Sequence, residues 1–176
     1  SSSSSSRKEL RDKRKRLLEE LQHSFSGRLP RNIVDMLRGV RIEEDDAYIS
    51  AIQIHKKLDD AKRKYQAAIK KRKKIRGELI KHGNDYRKAR TSLELQGEVD
   101  EHERNHKNAR IKHKAAIDQC NELEREVDEH ERNYQRKMYE LFQLREQFNT
   151  IVKQAKKEAQ AVKAMVQLKL NNKRKT

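Results

Sequence analysis

Apolar residues recur along much of the chain at alternating steps of three and four positions, which is the spacing of a coiled-coil seam. From residue 51 to residue 93, a register of this kind has apolar side chains at eleven of its 13 positions. With 33% of the chain apolar, chance would fill about four of them. The positions of this first register are Ala51, Ile54, Leu58, Ala61, Tyr65, Ala68, Arg72, Ile75, Leu79, His82, Tyr86, Ala89 and Leu93. The pattern predicts a long helix whose stripe packs lengthwise against a second helix.

A second register of the same kind has apolar side chains at 14 of 20 positions. Its positions are Val99, His102, His106, Ala109, His113, Ala116, Cys120, Leu123, Val127, His130, Tyr134, Lys137, Leu141, Leu144, Phe148, Ile151, Ala155, Glu158, Val162 and Met165. Continuing the first register by sevens from Leu93 reaches Asp100, whereas the second requires Val99, so the phase slips by one residue near Gly97. This slip predicts a helical hairpin that turns near Gly97. The alternative is one long kinked helix that pairs with another chain.

The charge of the chain also changes near Gly97. Residues 56–90 hold 15 basic and 4 acidic residues, whereas residues 91–132 hold 7 basic and 12 acidic residues. A turn between the two would lay a basic arm along an acidic arm, so that facing positions have numbers summing to about 192. The segment from Gly83 to Asp85 is a rival turn, although the first register continues across it without a slip.

Shorter segments precede the first register, beginning with a serine tract at residues 1–6 that is predicted to be disordered. Residues 7–40 are predicted to hold a short basic helix and then a small amphipathic helix over residues 30–38. Pro30 suits the first turn of the small helix, and Gly39 suits a left-handed residue at its end. Four acidic residues then favour the start of the next helix. They are Glu43, Glu44, Asp45 and Asp46.

The basic helix and the small helix each have an apolar stripe. The stripe of the basic helix is Leu10, Leu17, Leu18 and Leu21, and that of the small helix is Ile33, Val34, Met36 and Leu37. Two long helical arms follow, a basic one at residues 41–96 and a second one at residues 97–170, and residues 171–176 form a basic tail. The predicted fold class is therefore all-α and elongated, with long coiled-coil-like helices.

Composition narrows the fold class and the compartment. Charged residues make up 41% of the chain, the formal net charge is +16, and five glycines and one proline leave few turns for a sheet. No apolar run approaches the ~18 residues needed to cross a bilayer. Binding to an anionic membrane surface would favour Trp or Phe opposite the basic residues, and the basic run lacks them, so no membrane partner is expected. The single cysteine, Cys120, fits a reducing compartment. We expect an intracellular protein, with a mitochondrion or another organelle slightly favoured over the nucleus.

His102, Glu103 and His106 match the His-Glu-x-x-His pattern, in which two imidazoles one turn apart bind zinc and the glutamate activates water. Both histidines fall on the second register, however, and no sheet or second domain is predicted that could form a substrate cleft. Polar seam residues that fix the helix pairing explain the two histidines with fewer assumptions. We therefore expect no metal, no cofactor, no small-molecule substrate and no enzymatic activity.

Three clusters of basic residues are the strongest functional signal. The first lies in the basic arm and consists of Lys70, Lys71, Arg72, Lys73, Lys74 and Arg76. The second lies near the start of the chain and consists of Arg11, Lys13, Arg14, Lys15 and Arg16, and the third consists of Lys173, Arg174 and Lys175. Consecutive residues of a helix point about 100° apart, so such a run surrounds the helix with positive charge. Phosphate groups are the natural counter-charge.

These clusters predict a non-enzymatic architectural subunit of a large ribonucleoprotein, a ribosome or an assembly particle. The basic helices would bind RNA phosphates without base stacking, because few aromatic residues adjoin them, and the heptad seams would bind neighbouring protein subunits. The alternative is a coiled-coil scaffold or tether of a cytoskeletal or chromatin assembly, whose charge is mostly solubilising. A nuclear localisation signal and an acidic protein surface as partner are further interpretations of the same clusters.

Overall fold

The computed structural model describes residues 2–92 and 95–175, and within them the chain forms three helices and no strand. Helix α1 spans Ser2–Ser24, α2 spans Arg31–Thr91 and α3 spans Gln96–Lys175. The predicted all-α class is confirmed.

The chain divides into two compact units. The first unit comprises Ser1–Ile49 and Met138–Thr176, and the second comprises Ser50–Lys137. Helix α1 belongs to the first unit alone, whereas α2 and α3 each contribute residues to both units.

In the second unit, α2 and α3 pack antiparallel as a helical hairpin. The rings of Tyr86 and His106 stack with their centroids 6.0 Å apart, and the rings of His55 and Tyr134 meet edge to face at 5.2 Å. The residue numbers of each facing pair sum to about 190, which is the register that the hairpin predicts. The hairpin prediction is therefore confirmed within this unit.

The hairpin turn lies between Thr91, where α2 ends, and Gln96, where α3 begins. Gly97, near which the sequence predicts the turn, is already in the first turn of α3. Leu93, the last position of the first register, lies outside the described residues.

The seam of the second unit is built mainly from small side chains. Every described position of the first register is buried or half-buried, as the heptad pattern predicts. The buried members are Ala51, Leu58, Ala61, Ala68 and Ala89 on α2 and Ala109, Ala116 and Cys120 on α3. Because the distance between packed helices depends on the side chains at their contact, a seam rich in alanine lets the two backbones approach closely.

Gly83 lies within α2, so the rival turn at Gly83–Asp85 does not form. The His106 Nε2 atom lies 3.2 Å from the point that a Cβ on residue 83 would occupy. Glycine therefore gives the His106 ring room beside the α2 backbone, next to its stacking partner Tyr86. A close approach between the helices, and not a turn, explains this glycine.

The first unit packs α1, the start of α2 and the end of α3 around one main apolar core. The buried residues of this core are Leu21, Ile33, Leu37, Val40, Phe148, Val152 and Ala155. Leu17 and Leu18 of the predicted α1 stripe pack against it, whereas Met36 of the predicted small-helix stripe is exposed. Between α1 and α2 the chain turns through Ser26 and Gly27, whose φ angles are 58° and 91°. The first core thus depends on α1 folding back along the two long helices.

The small helix predicted over residues 30–38 is the first part of α2, which continues through Gly39 without the left-handed conformation predicted there. A glycine within a helix costs about 1 kcal/mol relative to alanine. Burial of Leu37 and Val40 on either side offsets this cost. The first register also extends backward by sevens through Glu44 and Leu37, so one stripe runs across the predicted boundary.

Both ends of the helical structure reach further than predicted. Helix α1 begins at Ser2, so Ser2–Ser6 are helical where the sequence predicts a disordered tract, and Ser1 lies outside the described residues. Helix α3 continues to Lys175, into the predicted basic tail. Along α3, the positions of the second register are buried or half-buried as far as Ala155, and the remaining positions of that register are exposed. Those positions are Glu158, Val162 and Met165.

Candidate nucleic-acid interface

The first basic cluster lies on α2, within the second unit. Its exposed members are Lys70, Lys71, Lys73, Lys74 and Arg76. Arg72 occupies a seam position and is half-buried. In the part of the chain that the structure describes, none of these six side chains takes part in an ion pair or a hydrogen bond. The five exposed members of the cluster therefore direct their positive charge at solvent.

Further lysines extend this cluster along the outer face of α2. At 3.6 residues per turn, positions 70, 74, 81 and 88 share the face opposite the seam. The residues at these positions, which we call the outer lysine row, are Lys70, Lys74, Lys81 and Lys88, and all four are exposed. At a rise of 1.5 Å per residue the row is about 27 Å long. It offers four ammonium groups on one side of a single helix.

The acidic residues of α3 do not neutralise the outer lysine row. Lys62 Nζ and Glu131 Oε2 form an ion pair between the two helices at 4.0 Å, and both side chains are about half exposed. No lysine of the row has such a partner among the described residues, and the acidic residues between Glu98 and Glu129 are exposed. The basic and acidic arms thus lie side by side, as predicted, with most of their charges on separate outer faces.

The second basic cluster is divided by the packing of α1 in the first unit. A cavity of about 530 Å³ lies between the three helices of this unit, and Lys13 and Arg16 are exposed residues that do not line it. Arg11 and Lys15 are also exposed, but they line that cavity together with Arg14. The Arg14 side chain is only 15% exposed, so it is not free to lie along a phosphate backbone. Arg14 is therefore not counted among the exposed cations of the candidate interface, and its contact with RNA stays a prediction.

Arg14 is held by Glu44 on α2 and by Phe148 on α3. Its Nη2 atom lies 2.6 Å from Glu44 Oε2, and its guanidinium lies 4.3 Å from the centroid of the Phe148 ring. Arg145 Nε approaches the other carboxylate oxygen, Glu44 Oε1, at 3.9 Å. Glu44 is 8% exposed, so one buried carboxylate is shared by two guanidinium groups.

The sequence contains a signal for this buried pair. The acidic cluster predicts a helix start at Glu44, yet Glu44 stands seven residues before Ala51 and so belongs to the first register extended backward. The basic run predicts RNA contact for Arg14, yet Arg14 stands between Leu10 and Leu17 at heptad spacing on the α1 stripe. Opposite charges at stripe positions of two helices indicate an ion pair inside the bundle.

The third basic cluster lies at the end of α3, in the first unit. Lys173, Arg174 and Lys175 are exposed, as is every described residue from 160 onward. Five apolar residues of this segment are between 47% and 61% exposed, namely Val162, Met165, Val166, Leu168 and Leu170. The end of α3 thus presents cationic and apolar side chains together.

The residues of the His-Glu-x-x-His pattern lie along the hairpin. His102 and His106 are half-buried at seam positions, and Glu103 is exposed. The His106 ring stacks on Tyr86. Within the described residues, no three His, Cys, Asp or Glu side chains lie close enough together to hold a metal ion.

No described helix combines the length and the apolar character that a membrane span requires. A scan against protein-family models and searches of curated proteins and of solved structures found no match to this chain. The candidate interface therefore rests on the chain's own geometry and charge, and its centre is the first basic cluster with the outer lysine row.

Proposed function

We propose that the chain is a non-enzymatic architectural subunit of a large ribonucleoprotein, such as a ribosome or an assembly particle, and that α2 binds RNA phosphates. The observation that carries this proposal is the outer lysine row, together with Lys71 and Lys73 beside it. These cations are exposed on one helix and have no carboxylate partner among the described residues. Closely spaced like charges repel one another, so a polyanion laid along the row is stabilised.

Contact is made with the phosphate backbone and not with the bases. The tyrosines of α2 nearest the cluster, Tyr65 and Tyr86, are half-buried on the seam. Along the described residues of α2, the lysines therefore have no exposed tyrosine beside them on which a base could stack. Each phosphate that a lysine neutralises releases condensed counterions. We expect binding that falls steeply with salt and depends little on RNA sequence.

The surface available to neighbouring proteins is smaller than the two heptad seams that the sequence predicts for this role. The helices of this chain occupy most of the two registers, because the described positions from Ala51 to Ala155 are buried or half-buried. The exposed apolar residues at the end of α3, such as Val162 and Met165, remain available. We propose that neighbouring subunits contact this segment.

A coiled-coil scaffold or tether of a cytoskeletal or chromatin assembly is the alternative function. The exposed acidic residues of α3 between Glu98 and Glu129 favour it. Such an acidic surface on one copy can attract the outer lysine row of another copy and so build an assembly without nucleic acid.

A salt titration of RNA binding separates the two functions. We would measure fluorescence anisotropy of a labelled, mixed-sequence single-stranded RNA with the full chain, from about 50 mM to about 200 mM salt. An architectural RNA-binding protein should lose affinity at least several-fold over this range and show little sequence preference. Absence of RNA binding at the lowest salt, with self-association in sedimentation at the same salt, would support the scaffold instead.

A further inference from the structure

The first unit contains a cavity of about 530 Å³ between its three helices, which the sequence pattern did not predict. Six cationic side chains line it, namely Arg7, Arg11, Arg14, Lys15, Arg41 and Arg145. Two carboxylates also line it, those of Glu44 and Asp45. The cavity is therefore strongly cationic, and its volume falls within the range of small-molecule sites, about 300 to 1,000 Å³.

The two carboxylates leave most of this charge uncompensated. Glu44 is already shared between Arg14 and Arg145, at 2.6 Å and 3.9 Å. Among the described residues, Arg11, Lys15 and Arg41 take part in no ion pair. Six positive charges thus face two negative charges, an excess of four.

The spacing along α1 concentrates this excess. Arg7, Arg11 and Lys15 follow one another at intervals of four residues, so they lie on the same side of the helix. Like charges at this spacing destabilise a helix. An anion bound between them removes that repulsion.

The cavity walls also orient the guanidinium groups. The Arg7 guanidinium lies 3.9 Å from the centroid of the Tyr48 ring, and the Arg14 guanidinium stacks on Phe148. Arg14 Nη2 faces Glu44 Oε2 at 2.6 Å, whereas Arg14 Nε and Arg145 Nε are buried donors with no hydrogen-bond acceptor among the described residues. Buried donors without acceptors are costly and are normally satisfied. A ligand rich in acceptor oxygens would satisfy them.

We propose that this cavity binds a compact polyanion that carries several phosphate groups, such as a triphosphate. Phosphate oxygens match both the planar fork of an arginine and the point charge of a lysine. Two or more phosphates are needed to balance an excess of four charges. This site lies in the first unit and is independent of the outer lysine row of the second unit.

Inorganic triphosphate is the probe, added to the full chain in isothermal titration calorimetry. The test variant carries Arg11→Gln, Lys15→Gln and Arg41→Gln, three exposed residues whose replacement leaves the apolar core intact. The matched control carries Lys13→Gln, Arg16→Gln and Arg38→Gln, which remove the same charge from exposed positions of the same helices outside the cavity. We expect the test variant to bind at least about tenfold more weakly and the control to stay within about twofold of the wild type.

Ligand-dependent thermal stability provides a second readout, because a ligand that binds only the folded state raises its Tm. Triphosphate should raise the Tm of the wild type and of the control, but not that of the test variant. Equal loss of binding in both variants would show unspecific attraction to charge, and absence of wild-type binding near 1 mM would show that no site exists. Either result overturns the proposal.

ATP tests whether phosphate groups suffice for binding. ATP that binds at least as tightly as triphosphate supports the site, whereas failure of both ATP and triphosphate to bind contradicts it. Replacing the outer lysine row should leave triphosphate binding unchanged, so this proposal and the RNA proposal fail separately.

Discussion

Arg14 on α1 and Glu44 on α2 form an ion pair inside the first unit, with Nη2 and Oε2 2.6 Å apart and the two side chains 15% and 10% exposed. Arg145 completes the arrangement from α3 at 3.9 Å. The three charges link the three helices of the unit next to its apolar core. A buried pair of this kind is costly to break, because the remaining partner stays buried without its counter-charge.

One carboxylate lies between two guanidinium groups, so removing Glu44 and removing Arg14 should lower the free energy of unfolding by different amounts. Glu44→Leu leaves two guanidinium groups facing each other and should lower the free energy of unfolding by about 3 kcal/mol or more. Arg14→Met leaves Glu44 with Arg145 and should cost less, about 1 to 2 kcal/mol. Urea denaturation followed by circular dichroism measures both changes.

The double variant provides the control for this prediction. Arg14→Met combined with Glu44→Leu replaces the pair by apolar side chains and should be more stable than Glu44→Leu alone. If the two single losses simply added in the double variant, the pair would not be coupled and its structural role would be refuted.

The burial of Leu21 predicts that α1 contributes strongly to the stability of the first unit. Its side chain is 0% exposed in a core made with residues of α2 and α3. Leu21→Ala should therefore cost about 2 to 5 kcal/mol in the free energy of unfolding. Leu168→Ala is the matched control, because Leu168 is 61% exposed and its truncation should change stability by less than about 0.5 kcal/mol. Similar losses in the two variants would contradict the packing of α1 described above.

The close approach of the His106 ring to Gly83 predicts that the effect of replacing Gly83 on stability depends on His106. Replacing a helical glycine with alanine ordinarily gains about 1 kcal/mol, and Gly77→Ala should show this gain because a Cβ there meets nothing within 4 Å. Gly83→Ala should gain less, since its Cβ would lie 3.2 Å from His106 Nε2. The full gain should return in a His106→Ala background, as measured by urea denaturation. Equal gains at residues 77 and 83 in the wild-type background would show that His106 does not restrict this position.

The heptad pattern predicts burial well where a residue's position in the register decides it. Every described position of the first register, from Ala51 to Ala89, lies buried or half-buried because a period of 3.5 residues leaves one side of a helix for its partner. The local sequence predicts a helix end at Gly39, but such local signals are overridden when apolar residues on both sides are buried in one core. The run of basic residues predicts RNA contact for Arg14 and does not reveal its ion pair, because the partner, Glu44, comes from another helix.

The candidate site was predictable only in part for a related reason. Runs of basic residues identified the cluster around Lys70, but the run itself does not show which lysines share a face or lack partners. The cavity of the first unit requires α1 to pack along two other helices, and no short pattern in the sequence encodes that arrangement. The positive charge of the cavity arises because the fold brings Arg11, Arg41 and Arg145 together from three helices.

The salt slope of RNA binding in an outer-row variant tests the central claim most directly. Replacing the outer lysine row with glutamine should weaken binding to mixed-sequence single-stranded RNA and reduce the slope of log K against log salt by up to about 0.7 for each phosphate that the variant no longer neutralises. The matched control removes four exposed lysines of α3, namely Lys107, Lys112, Lys114 and Lys157. We predict a smaller slope for the outer-row variant and a nearly unchanged slope for the control. Identical slopes in the two variants and the wild type would contradict RNA binding by this face of α2.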